Sequence, residues 1–120
     1  MWRGRRVFGY GAPVDLRRGF DGLSALVESQ MGLDVLSGDA FVFVSRNRVR
    51  TKVLVWDGSG LCIFAKRLER GRFASLWGQG EALRLSAAEL ELFLEGSELV
   101  GTMRLVPAPV PLAQLLAARR

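Results

Sequence analysis

Residues 52–73 read KVLVWDGSGLCIFAKRLERGRF, and this stretch decides the fold. Residues 53–56 are all apolar, and Val53, Val55 and Trp56 are of the β-branched or aromatic types that strands favour. Asp57-Gly58-Ser59-Gly60 is a short turn of the Asp-Gly type, with glycines where a tight reversal needs positive φ. Residues 61–65 are apolar again, so the segment reads as an antiparallel hairpin. After it, Lys66, Arg67, Arg70 and Arg72 bring a burst of positive charge interrupted only by Glu69.

Working outward toward the N-terminus, residues 40–44 (AFVFV) carry no polar position. A strand of that kind is expected to be covered on both faces. It makes the hairpin a three-stranded antiparallel meander. Arg46, Arg48 and Arg50 lie between its first two strands at i, i+2 and i+4. In an extended arm these would point the same way as a comb of guanidinium groups; a solvated hairpin tip is the plain alternative. Residues 5–10 read as a first strand, ended by Gly9, Gly11 and Pro13. Residues 74–77 suggest a further short strand.

Two helices accompany the strands. Asp15 is placed to cap a helix reaching about Gln30, with Phe20, Leu23, Val27 and Met31 on one face, Leu26 beside them and Gly32 as the stop. Gly19 and Gly22 fall in its first turns, where each costs about 1 kcal/mol relative to Ala. Arg17 and Arg18 would sit at the positive end of its dipole. Such breaches of local rules mark close packing or function. The second helix opens at Ser86: Ser86 and Glu89 fit a capping box, Leu85 and Leu90 a hydrophobic staple, and Gly96 the stop. The expected fold is therefore α+β: a small, mostly antiparallel sheet, a meander of three to five strands, packed by two main helices in a single domain over residues 1–100. Residues 101–120 form a Pro-rich C-terminal tail with Pro107, Pro109 and Pro111 in alternation.

Composition narrows the function. The 120 residues are 49% hydrophobic, enough for one core. No apolar run reaches the roughly 18 residues of a membrane span, and the charged start MWRGRRV lacks a long apolar stretch after it, so a cytoplasmic chain is expected. Cys62 is the single cysteine; it has no disulfide partner in the chain and reads as a buried, inert thiol. The chain has no histidine, which removes the commonest general base and the usual zinc chemistry. The Gly-x-Gly pairs at 9/11, 58/60 and 78/80 lack the lysine and following helix of a phosphate loop and read as turns. No cofactor, metal site or catalytic residue is expected.

Charge is concentrated. Fifteen of 17 basic residues are arginine, and residues 46–72 hold eight basic residues against Asp57 and Glu69. Guanidinium forks suit phosphate and base edges; a GC-rich coding sequence also enriches arginine, though not its clustering. Expected nucleic-acid-binding residues are Arg17, Arg18, Arg46, Arg48, Arg50, Lys52, Lys66, Arg67, Arg70 and Arg72. Aromatic residues Tyr10, Trp56, Phe64, Phe73 and Trp77 interleave with them and serve either the core or base stacking. A Mg²⁺ nuclease would have to use Asp57 and Glu69 with Asp15 or Asp21. Each of these acids has a simpler job in a turn, a cap or an ion pair.

Several ordered blocks resemble a known family. Residues 15–23 (DLRRGFDGL) are similar to a D-M-R-K-[GS]-[FI]-D-G-L signature, residues 52–61 to K-[IV]-L-x-W-D-x-x-G-[LF], and residues 66–73 to K-R-L-E-x-G-x-F. Ser37-Gly38, residues 41–43, Leu85-Ser86, Glu89-Leu90 and Glu95-Gly96 follow in order. Together, over roughly residues 5–96, they resemble the TnpB (second open reading frame) accessory protein of the insertion-sequence-66 transposon group, distinct from the RNA-guided nuclease of the same name. The resemblance implies a non-enzymatic accessory factor in DNA transposition, with a separate transposase and no catalytic residue to carry over. The tail from about residue 104 lies outside the pattern. Expected partners are DNA, the transposase encoded by the same element, and a second copy of the chain. The rival reading is a protein–protein adaptor using the apolar strands and the tail.

Overall fold

The computed structural model describes residues 2–78 and 82–96. Five strands form one sheet in the order β4-β3-β2-β1-β5. They are β1 (Val7–Tyr10), β2 (Ala40–Val44), β3 (Arg50–Trp56), β4 (Leu61–Arg67) and β5 (Ala82–Leu85), with helices α1 (Phe20–Ser29) and α2 (Ala87–Glu95). The expected meander is β2-β3-β4, antiparallel throughout, with Val53 opposite Phe64 and Trp56 opposite Leu61. The chain is α+β and mostly antiparallel, as expected. Among the described residues the one parallel pairing is β1 with β2, joined through α1, while β5 runs antiparallel to β1.

The uniformly apolar β2 explains the layering. Ala40, Val42 and Val44 point to one face, Phe41 and Phe43 to the other, and all five are fully buried. The first face carries a core with Val7, Val53, Leu83, Leu85 and, from α2, Leu90, Phe93 and Leu94. The second carries a core with Leu54, Val14 and Leu16 and, from α1, Leu23 and Val27. One helix therefore covers each face. Each buried Phe, Leu or Val contributes roughly 1.5–3 kcal/mol of transfer free energy, so β2, buried on both sides, is the thermodynamic centre of the sheet.

Local chemistry matches these elements at several points. Asp57 Oδ1 accepts from the N–H groups of Ser59 (2.8 Å) and Gly60 (2.9 Å) and closes the β3–β4 turn; Gly58 sits at φ +106°. Ser86 Oγ accepts from Glu89 N (3.0 Å) and Glu89 Oε1 from Ser86 N (2.9 Å), the full capping box. Gly32 ends α1 at φ +66°.

Five expectations are corrected. Helix α1 begins at Phe20 with Gly19 as its cap. Asp15 does not cap it, because its carboxylate closes a separate turn on Arg17. Phe20, expected on the core face, is 48% exposed because it stands at the very first helical position, outside the packed turns. Residues 74–77 form no strand. Phe73, Ala74 and Leu76 are instead fully buried as irregular chain, and the fifth strand is β5. Gly22 does not admit another backbone: a Cβ there would lie 3.1 Å from Arg18 Cβ, so the small residue makes room for a folded-back arginine stem. Strand β4 also continues through Lys66 and Arg67 rather than stopping at Ala65. The Pro-rich tail lies outside the described residues.

Candidate nucleic-acid interface

One end of the sheet collects the basic segments. Three pieces of chain meet there: loop 11–19 after β1, turn 45–49 between β2 and β3, and loop 68–72 after β4. Each is held by local bonds. Val14 N donates to Val44 O (3.0 Å), laying the first loop across the end of β2. Leu68 N donates to Val49 O (2.8 Å) and Phe73 N to Arg48 O (2.6 Å), which fasten the third loop to the turn.

In the first loop, Asp15 Oδ1 accepts from Arg17 N (3.0 Å), and the Arg17 guanidinium reaches Asp15 Oδ2 at 2.6 Å. That guanidinium, then the backbone N–H, holds the Asp15 carboxyl down at about 2. In the turn, Arg48 N donates to Ser45 O (2.9 Å) and Ser45 N to Arg50 O (3.0 Å). Ser45 Oγ donates to Asn47 Oδ1 (2.8 Å), which in turn accepts from Val49 N (3.1 Å). Arg48 takes the left-handed conformation, φ +60°, at a cost of order 1–2 kcal/mol. The segment is thus a coiled turn and not an extended arm, so the comb expected of Arg46, Arg48 and Arg50 does not form.

What forms instead is a cleft. Pro13, Val14, Asp15, Leu16, Arg17, Ser45, Arg46, Asn47 and Arg50 line an open depression of about 820 Å³. A second of about 260 Å³ adjoins it along Leu16 and Arg50 and adds Thr51, Lys52, Ala65, Lys66 and Arg67. The structure thus brings together Arg17, Arg46, Arg50, Lys52 and Arg67. Arg50 and Arg67 stand directly opposite each other in the β3–β4 register. Like charges so placed destabilise a sheet. Glu69 Oε2 accepts from Arg67 Nε at 3.0 Å and offsets part of this repulsion. Arg18, Arg48, Arg70 and Arg72 flank the cleft on the same loops. Among the described residues Arg46, Arg48, Arg50, Arg70 and Arg72 make no ion pair.

Two lysines are partly committed. Lys52 Nζ donates to Arg18 O (2.9 Å), pinning the loop ahead of α1. Lys66 Nζ passes to the other face of the sheet and donates to Leu94 O (2.6 Å) near the C-terminus of α2, where a cation suits the helix dipole. Its ammonium does not join the others.

The far end of the sheet has a different character. Arg5 Nη1 donates to Gly38 O (2.7 Å), and Arg6 forks onto the buried Asp39 (3.0 and 2.8 Å). Asp57 lies at this end, held at about 2 by the N–H groups of Ser59 and Gly60. It is separated from Glu69 by the whole of β4, seven residues and hence about 23 Å of strand. The carboxylates of the nuclease reading therefore do not converge, and among the described residues no three metal-binding side chains cluster. Cys62, expected to be buried, is exposed, because the sheet edge at β4 leaves that position open. Desolvation at the sulfur, then the carboxylate of Asp57 with an oxygen 3.5 Å away, push the thiol pKa up. Of the aromatics, Phe73 is fully buried and stacks on Phe93 at 5.1 Å; Phe64 packs on the same core. Sequence reasoning passed over Phe8 and Arg84, whose pairing appears only once β5 is known to lie beside β1.

The comparisons with known proteins agree with the sequence blocks. The family model described as IS66 Orf2 like protein matches residues 5–103. The chain belongs to this family. It is 40% identical over 94 residues to the uncharacterized protein y4jC of Sinorhizobium fredii, covering 78% of this chain and 80% of that one. It is 42% identical over 83 residues to the uncharacterized protein y4hO of the same organism, covering 69% and 72%. No solved structure matches. Membership in the IS66 Orf2 family identifies a transposition accessory protein. No described helix is long and apolar enough to cross a membrane.

Proposed function

We propose that this IS66 Orf2-like chain is a non-enzymatic, cytoplasmic DNA-binding accessory factor of transposition, and that its DNA phosphates lie in the cleft at the β2–β3 turn. The observation that carries this reading is the convergence of Arg17, Arg46, Arg50, Lys52 and Arg67 on adjoining open depressions. Arg46 and Arg50, whose guanidinium groups have no carboxylate partner among the described residues, are suited to phosphate oxygens, and the short bonded turn that carries them loses little freedom on binding. The opposed Arg50 and Arg67 carry a repulsion in the free protein that a phosphate would relieve.

The inner apolar strands offered to an adaptor reading are consumed by the two cores: β2 is buried on both faces, and β3 at Val53, Leu54 and Val55. Contacts with the transposase of the same element, or with a second copy, would fall to surfaces away from these strands.

The test is binding of a labelled DNA duplex followed by fluorescence anisotropy from low to moderate salt. Each phosphate contact contributes about 0.9 to the slope of log affinity against log salt. The double variant Arg46→Glu/Arg50→Glu is expected to weaken binding and flatten the slope by about 2, while Arg3→Glu changes neither. An unchanged affinity and slope in the double variant would overturn the reading.

A further inference from the structure

Helix α1 packs on β3 and β4. The β1–β5 half of the same sheet face carries Phe8 and Tyr10 from β1 and Ala82 and Arg84 from β5, all only partly buried. Phe8 and Tyr10 are two residues apart on one strand, so their rings stand about 7 Å from each other on the same face. Both are flanked on the neighbouring strand β2 by buried aromatics: Phe8 stacks on Phe41 at 6.1 Å and 18°, and Tyr10 leans on Phe43 at 5.8 Å and 45°. Two guanidinium groups stand over the Phe8 ring, Arg6 at 5.7 Å and Arg84 at 5.4 Å. The residue opposite Tyr10 is the small Ala82, so β5 sets no large side chain directly against the tyrosine. The row ends at Tyr10, three residues before Pro13, where the arginine cleft begins.

We propose that this face is a base-stacking platform for single-stranded DNA, whose backbone continues into the arginine cleft; the proposal rests on the DNA-binding reading above. A duplex hides its base faces inside the stack and has no use for partly exposed aromatic and guanidinium planes. An unpaired strand presents one π-face per nucleotide to aromatic or guanidinium planes. Rings packed beside Phe41 and Phe43 of the neighbouring strand are already ordered, so stacking costs little side-chain freedom. Arg46 and Arg50 of the adjoining cleft, which make no ion pair among the described residues, fit a polyanion and disfavour an apolar occupant such as a second sheet face.

Tyr10 is the only tyrosine of the chain, so nitration by tetranitromethane reports on it alone. In the free full-length protein Tyr10 is expected to be nitrated. A thymidine 12-mer should protect it, and the corresponding duplex should not. In anisotropy titrations, Phe8→Leu/Tyr10→Leu keeps the apolar volume but removes both π-faces. This variant should bind the thymidine 12-mer about tenfold or more weakly, with duplex affinity and salt slope unchanged and a native circular-dichroism spectrum. Loss of duplex binding in Arg46→Glu/Arg50→Glu together with an undiminished single-strand affinity in Phe8→Leu/Tyr10→Leu would overturn the platform and leave the cleft reading standing. Failure of the native protein to bind either polymer would overturn both. Tyr10 that resists nitration in the free protein but reacts once residues 101–120 are removed would make the chain's own tail the occupant. Tighter binding of a uridine 12-mer than of the thymidine 12-mer would overturn the assignment to DNA.

Discussion

Gly9 shows how one residue can be dictated by a neighbour far away in sequence. A Cβ at this position would fall 2.9 Å from Leu76 Cδ1, and Leu76 is fully buried. Gly9→Ala is expected to destabilise the protein by about 1–3 kcal/mol through overpacking, measured by urea unfolding. Leu76→Ala in the same chain should recover part of that loss, a coupling visible in a double-mutant cycle. From sequence, Gly9 read only as a strand terminator, because the irregular segment that brings Leu76 against it has no periodic signature. Asp57 illustrates the opposite case, since an Asp in an Asp-Gly turn announces its own backbone bonds. Its folded pKa of about 2 lies below the ordinary 3.8. Its contribution to stability is therefore complete above about pH 4 and disappears as pH falls through 2. Thermal melts should find Asp57→Asn less stable than the native chain at pH 6, with the gap closing by pH 2. Removing that carboxylate also lowers the Cys62 thiol pKa, so the same variant should react faster with a disulfide reagent at pH 8.

At the scale of elements, legibility followed the density of local chemistry. Helix α2 was readable to the residue because its capping box lies within four positions, and Ser86→Ala should cost about 1 kcal/mol in unfolding free energy. The β3–β4 hairpin was readable for the same reason. Helix α1 was misread at its start: Asp15 has the right side chain for a cap, but the Arg17 guanidinium captures it first and bends the chain into a separate turn. The i, i+2, i+4 spacing of Arg46, Arg48 and Arg50 implied an extended arm. Ser45 and Asn47, whose side chains satisfy the backbone of a tight turn, were the residues that argued against it. Charge identity survived this error, since the coil still delivers Arg46 and Arg50 to the cleft, where Arg17 awaits them.

For the whole molecule, the parallel β1–β2 pairing matters most, and it was beyond local reading because it depends on how α1 carries the chain back. That pairing sets the ends of β1, β2 and β4 side by side. The loops that follow β1 and β4 therefore meet the β2–β3 turn, and basic segments spread over residues 17–72 become one surface. The two arginines nearest the first strand, Arg5 and Arg6, are left at the other end, where they bond Gly38 and Asp39 and serve the fold. The protein thus has two unlike ends along its strands: an arginine-rich end, where the proposed function places DNA, and a structural end. The most direct test of that division is a backbone amide NMR titration of the full-length protein with a short DNA. The predicted result is chemical-shift change concentrated in residues 13–18, 45–52 and 67–73, with the 57–60 turn silent. Changes centred on the 57–60 turn, or none anywhere, would contradict it.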